Sequence, residues 1–405
     1  MRKNQWRLIG PGLIMAAAGV GAADIVAASA AGGRFGFSLL WAVAFAALLK
    51  YILNEGLARW QIATGTTMVE GWNDRIGQWL IKLFLAYLIL WSIFVGGGLL
   101  SAVAIVVKAV FHQLSVFQAG LICAVSVLLI VFTGSYRFFK GAMKACVLLI
   151  FVGFVYGAWK TMPAPGILLS GLFCPTIPRD SFFAVLGLMG AIGSSLTLLC
   201  YGYWARQEGL DKPENLGATR LDLAICYVIT GLFDICVMVM AAGGGRLIPQ
   251  DAKGILMLGE NLSKAIGPWG YWVFIVGFWA AVYSTLISFF SAIPALFCDL
   301  VATIKDLKGK EKDDFRSMRN LWFWSYAVYS AIVSIIMLQM KRPVLFILIF
   351  SALGGIFMIF LSAVLLYLNN RPEMGKLKNG LATNFLLLVN LALFTVLAVR
   401  KLGFF

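Results

Sequence analysis

Hydrophobic positions in this chain fall in long blocks rather than in short alternating runs. Apolar stretches close to the ~20 residues needed to cross about 30 Å of hydrocarbon recur along it. They cover 8–31, 37–62, 79–107, 115–134, 141–160, 182–204, 221–243, 269–297, 321–340, 344–368 and 381–399, which makes eleven predicted spans. Each is expected to be a helix, because lipid tolerates only helices or closed barrels and the alternating segments of a barrel are absent from the sequence. The first block follows Arg2, Lys3 and Arg7, like the basic start of a signal peptide. Its apolar run exceeds the ~7–15 residues of such a peptide, so it is expected to stay in the protein.

Composition agrees with the blocks. Of the 405 residues, 61% are hydrophobic and 13% charged, against about 45–50% and about 25% in soluble domains. That profile predicts an integral membrane protein. The net charge of +15 then reads as cationic loops beside anionic lipid rather than as a nucleic-acid surface. Of the 33 Lys and Arg, 21 fall in the segments that are cytoplasmic if the N-terminus is inside, 11 in the opposite segments, and Lys50 within a span. The bias predicts a cell-membrane protein with an inside N-terminus and, with eleven spans, an outside C-terminus. It also makes the most charged loop, 305–319, a solvated cytoplasmic linker. Seven cysteines (Cys123, Cys146, Cys174, Cys200, Cys226, Cys236 and Cys298) lie mostly inside apolar blocks, with no C-x-x-C pair. They are expected to pack rather than to bind metal.

Two blocks are interrupted in the same way. In the first, Gly19 and Gly21 are followed by an acid, Asp24; in the sixth, Gly187, Gly190 and Gly193 precede Ser194 and Ser195. Glycine weakens a helix by about 1 kcal/mol relative to alanine, and a polar residue just beyond it offers a new N-cap. Interruptions five spans apart predict a transporter built from inverted repeats, whose half-helices meet near the membrane midplane.

The stretch GPGLIMAAAGVGAADIVAASAAGGRFGFSLLW at 10–41, followed by LARWQIATG at 57–65, resembles the opening of the Nramp divalent-metal transporters, solute carrier family 11. The likeness continues through ATRLDLAICYVITGLFD at 218–234 and Ser284 to Leu286. It implies the all-α fold of that superfamily, with broken helices one and six and alternating access. The expected division is a first repeat over 1–160 (helices 1–5), an inverted second repeat over 161–378 (helices 6–10), and an added eleventh helix over 379–405.

The family's metal motifs are replaced at the matching positions. Its D-P-G-N falls on Gly21, Ala22, Ala23 and Asp24, its M-P-H on Ser194, Ser195 and Leu196, and its helix-ten Gln on Ala352. The acidic pair that serves protons in its third helix falls near Phe94 and Gly97. With the usual carboxylate and the soft thioether gone, the residues predict different cargo. Half-helices starting near Ala22–Asp24 and Ser194–Thr197 would point unpaired N–H groups at a small Gly, Ala and Ser pocket. The expected substrate is a small inorganic anion such as bicarbonate, with Na+ or H+ as coupling ion. The substrate-binding candidates are Gly21, Ala22, Ala23, Asp24, Gly193, Ser194, Ser195, Thr197 and Ala352. The alternative is a hydrated divalent cation, Mg2+ or Mn2+, which one acid and several hydroxyls could hold through its waters.

Asp24 keeps three readings open: helix cap, partner of the coupling ion, or ligand of a hydrated cation. An acid this deep in a membrane is usually functional. Lys50 and Glu55, five apart, are spaced for an imperfect pair, Asp234 has no evident partner, and all three are expected in structural networks rather than a relay; His112 sits in a short outer loop. No Ser-His-Asp set, Walker sequence or zinc signature occurs, so no enzyme, cofactor or resident metal is predicted, and membrane lipid is the one other expected partner. A channel, or a receptor built on a transporter body, is the third class, separable by turnover.

Overall fold

The computed structural model describes residues 21–134, 136–193, 196, 198–207, 212–244, 248–249, 251–318 and 320–401. All its regular structure is helical. The long helices are α1 (Ala22–Phe35), α2 (Leu40–Thr64), α4 (Gln78–Val110), α5 (Val116–Thr133), α6 (Tyr136–Lys160), α10 (Leu216–Gly244), α12 (Trp269–Ile304), α14 (Leu321–Leu338), α15 (Pro343–Leu368) and α16 (Leu381–Lys401). The sixth block is split between α8 (Phe182–Ala191) and α9 (Leu198–Gln207). Among the described residues, seven helices are long and apolar enough to cross a membrane, and eight if the bent pair α6 and α7 (Pro165–Phe173) counts as one span.

Local chemistry sets the ends. Ser115 accepts from the Gln118 amide while the Gln118 side chain accepts from the Ser115 amide, a reciprocal cap that starts α5. Gly134 ends that helix in the left-handed conformation. Gly65 ends α2 in the same way.

Four helices lie where only connections were expected. The 161–181 connection contains α7, bent by 118° from α6. The 244–268 connection contains α11 (Ala252–Ile266), which buries Ile255, Leu258 and Leu262 on one face, the spacing of an amphipathic helix. The others are α3 (Met68–Arg75) and α13 (Gly309–Arg316). The last corrects the linker expected at 305–319: Lys312 is buried at the end of α12 rather than solvated.

Burial sorts the helices into an inner and an outer set. Helices α2, α4 and α12 bury most of their residues. Helix α5 exposes Leu121, Val125, Leu129 and Phe132, and α14 exposes Val328, Ile332 and Ile336. Stripes of large apolar side chains at three- and four-residue spacing are what an acyl-chain solvent selects.

Near the centre, α8 packs on α15 with almost nothing between the backbones. A Cβ at Gly190 would collide with the Ser351 carbonyl, and one at Gly355 would come 2.5 Å from the Leu186 carbonyl. Ala352, buried on α15 beside Ser351, lies in this seam. At the position expected to lack a proton relay, Gly97 packs on Met337, whose Cβ would lie 2.6 Å from an added methyl group.

Candidate functional site

The site begins with a glycine that has no side chain to cap its own helix. Gly21 is the N-cap of α1, and Asp24, three residues on, reaches back so that Oδ2 accepts from the Gly21 amide at 3.2 Å. The other oxygen, Oδ1, accepts from the Gly193 amide at 3.0 Å. One carboxylate therefore joins the start of α1 to the break that follows α8, and it is 3% exposed. Negative charge at a helix N-terminus is favoured by unpaired N–H groups and by the helix dipole.

The break itself follows from glycine. Gly193 has φ +63°, and a Cβ there would stand 2.7 Å from the Tyr227 ring. A side chain at this position would be strained and would also collide. Tyr227, on α10, accepts a hydrogen bond from Asn54 Nδ2 on α2 at 3.1 Å, which fixes the ring against the break.

A cation completes the centre. Lys50, on α2 and fully buried, donates to the Gly190 carbonyl at 3.1 Å. Positive charge here meets the negative end of α8, whose last carbonyls have no partner within the helix. Among the described residues, the acids whose fields reach Lys50 are Asp24 and Asp234. Asp234, on α10, is also fully buried, and among the described residues neither of its oxygens has a hydrogen-bond partner.

The structure thus brings Gly21, Asp24 and Gly193 together, with Ala22 and Ala23 in the first turn of α1. Ala22 is fully buried. Ser194, Ser195 and Thr197 lie outside the described residues. Two expectations need correction. The anion pocket was expected at the N–H groups of Ala22–Asp24 and Ser194–Thr197, and the Gly21 and Gly193 amides that flank them hold the Asp24 carboxylate, an anion supplied by the chain itself. The Lys50–Glu55 pair does not form: Glu55 bonds Arg59 at 3.1 Å and Arg220 at 2.9 Å, while Lys50 turns to the break. Asp234 and Tyr227 were not placed at the site from the sequence. The available signal was a lone acid in an apolar block, which rarely goes without a role.

A second charged cluster lies at the end of α12. Lys312 Nζ bonds Glu70 at 2.7 Å and Thr303 Oγ1 at 2.9 Å and lies 3.3 Å from Asp299. Arg316 also bonds Asp299. Partial burial pushes the Glu70 carboxyl up, but the Lys312 hydrogen bond, the Thr67 amide and the Lys312 and Arg316 charges outweigh it and hold Glu70 below the usual carboxylate range. A cavity of about 420 Å³ opens beside this cluster, lined by Thr66, Asn73, Lys308 and Asp313 among others. Among the described residues, no group of three or more His, Cys, Asp or Glu side chains is placed to hold a metal ion.

Comparison with known proteins follows this geometry. A family model described as "Natural resistance-associated macrophage protein-like" matches residues 12–403. The chain is similar to the divalent metal cation transporter MntH of Klebsiella pneumoniae, 26% identical over 251 residues, 60% of this chain and 59% of that protein. It is similar to MntH of Mycobacterium leprae at 24% over 257 residues, 59% of this chain and 58% of that protein. The match thus spans about three fifths of the length of these curated relatives. In three dimensions the chain resembles the Eremococcus coleocola manganese transporter, with a TM-score of 0.72 at 15% identity over 98% of this chain and 86% of that one. A nucleobase-cation-symport-1 family transporter, MHP1, matches with a TM-score of 0.51 at 12% identity over 89% of this chain and 75% of that one. At these identities the structural likeness speaks to fold alone.

Proposed function

This chain belongs to the Nramp family of membrane transporters, and we propose that its cargo is a hydrated divalent cation, Mg2+ or Mn2+, moved by alternating access around the α8–α9 break. The observation that carries the reading is the Asp24 carboxylate, buried where α1 meets that break and holding the Gly21 and Gly193 amides beside it. The curated relatives named above are divalent metal cation transporters, which supports a cation over bicarbonate. A site whose described carboxylate supplies oxygen donors suits an ion that keeps several of its waters.

The proposal includes eleven spans in two inverted repeats, 1–160 and 161–378, with 379–405 added. On that arrangement the starts of the first and sixth spans occupy equivalent places, so rocking of one repeat against the other exposes the centre to either side in turn.

Proteoliposome uptake of Mg2+, Mn2+ and labelled bicarbonate, run in parallel, tests the cargo. Saturable uptake of a divalent cation is expected, and Asp24→Asn is expected to reduce it at least tenfold. Saturable bicarbonate flux without cation flux would overturn the reading, and non-saturating flux would mark a channel.

A further inference from the structure

Helix α7, PGILLSGLF, is as apolar as a span but only nine residues long, about 14 Å of helix against the ~30 Å of a bilayer core. Ile167, Leu169 and Phe173 are exposed, Phe173 by 76%, and of its residues only Gly171 is buried. Its neighbours fix the level at which it sits. Gly157 on α6 packs on Met240, Gly32 on α1 packs on the Met238 carbonyl, and Gly243 on α10 packs on Thr161. The ends of α1, α6 and α10 therefore share one level, and there α7 leaves α6 with a turn of 118°, just past the perpendicular. Its inner side rests on the α1–α2 turn: a Cβ at Gly171 would stand 2.5 Å from the Phe37 carbonyl oxygen. The chain just beyond is tied to the same place. The Thr176 carbonyl accepts from Trp41 Nε1 at 2.9 Å, and its hydroxyl donates to the Ser38 carbonyl at 3.3 Å.

We propose that α7 is an interfacial helix, lying in the headgroup–acyl boundary of the phospholipid bilayer, and that through Gly171 and Thr176 it fastens the α1–α2 turn to that surface. The side chains at this level suit such a boundary. Lys160 ends α6 with Nζ 5.5 Å over the Tyr156 ring and 5.8 Å over the Trp159 ring, and both rings are exposed. Trp and Tyr concentrate where hydrocarbon gives way to headgroups, and a lysine stem lies along apolar surface while its ammonium reaches a phosphate. Arg34, exposed at the end of α1 with its guanidinium 5.3 Å over Phe35, offers a second cation to the same phosphates. A helix satisfies most of its own backbone, as immersion requires, and Pro165 at its first turn removes one of the amides left open there. Beyond Cys174 the connection carries exposed Arg179 and Asp180 and returns to water. This inference does not depend on which ion is moved.

The test is photolabelling of the full chain in liposomes that contain a phospholipid with a diazirine either next to the glycerol or at the end of the acyl chain, read by peptide mass spectrometry. Residues 162–173 should be labelled at least fivefold more by the shallow probe than by the deep one, while Val125 on the exposed stripe of α5 takes the deep probe. Equal or stronger deep labelling of 162–173 would make α7 a re-entrant segment and overturn the inference. So would labelling by neither probe while Val125 reacts, or a photo-crosslink from this segment to a second copy of the chain. The fastening has its own readout, amide hydrogen exchange in the Gly36–Leu39 turn. Leu169→Glu with Phe173→Glu changes only exposed side chains; it should cut the shallow labelling at least fivefold and quicken that exchange at least fivefold. Phe173→Glu alone should move both in the same direction and serves if the double variant does not fold. Exchange at the unmodified rate after α7 has lost its labelling would overturn the fastening.

Discussion

Asp24 shows how one side chain can reverse a functional reading. At the residue scale, a carboxylate at the third position of a helix satisfies the backbone amide that a glycine N-cap leaves open, and its second oxygen does the same for Gly193. The sequence displays the glycines and the acid, but it cannot show that the acid folds back onto the amides, because one of those contacts joins positions 169 apart. Read without that contact, the same residues suggest an anion pocket. Gly193 is equally constrained: positive φ and the Tyr227 ring both exclude a side chain. Gly193→Ala is expected to destabilise the protein by about 1–2 kcal/mol from the left-handed backbone alone, with more from the ring collision, and thermal unfolding in detergent will measure it. A melting temperature unchanged by that substitution would mean that the break is not held as described.

Among elements, legibility followed the strength of the pattern. Long apolar helices such as α4 and α15 run within a few residues of their predicted bounds, since twenty apolar residues in a row admit few other structures. The short helices α3, α7, α11 and α13 were hidden for different reasons. Helix α13 reads GKEKDDFR, a charge run that resembles a solvated linker unless its partners Glu70 and Asp299, far off in sequence, are known. The α3–α12–α13 junction also makes an acid-sensitive prediction. Because Glu70 sits below its usual value of 4.5, its contribution is fully present above that pH and is lost as pH falls through the lower folded-state value. Stability should therefore drop on acidification below about 4.5, and Glu70→Gln should flatten that limb while lowering the plateau. An acid limb of the same steepness in the variant would show that other carboxylates control it.

The whole molecule carries its own topology reporter. Cys174 is exposed, whereas Cys123, Cys200, Cys226 and Cys298 are buried. It follows α7 in the connection that the Lys and Arg bias puts outside the cell. A membrane-impermeant maleimide added to intact cells is expected to label Cys174, and Cys174→Ser should abolish nearly all of the signal. Labelling only after the cells are opened would invert the proposed orientation. The stripes on α5 and α14 point outward on the same body, but the division of the helices into perimeter and interior was not legible in the sequence, because a block buried in protein and a block bathed in lipid have similar hydropathy.

One contact constrains how such a body can work. Where Gly190 and Gly355 let α8 and α15 meet main chain to main chain, no flexible side chain is left to act as a bearing, so the two helices form a single strut. Sliding would drive the Ser351 and Leu186 carbonyls into the backbone of the facing helix. On the proposed alternating-access reading, α8 and α15 would therefore travel together as one rigid unit.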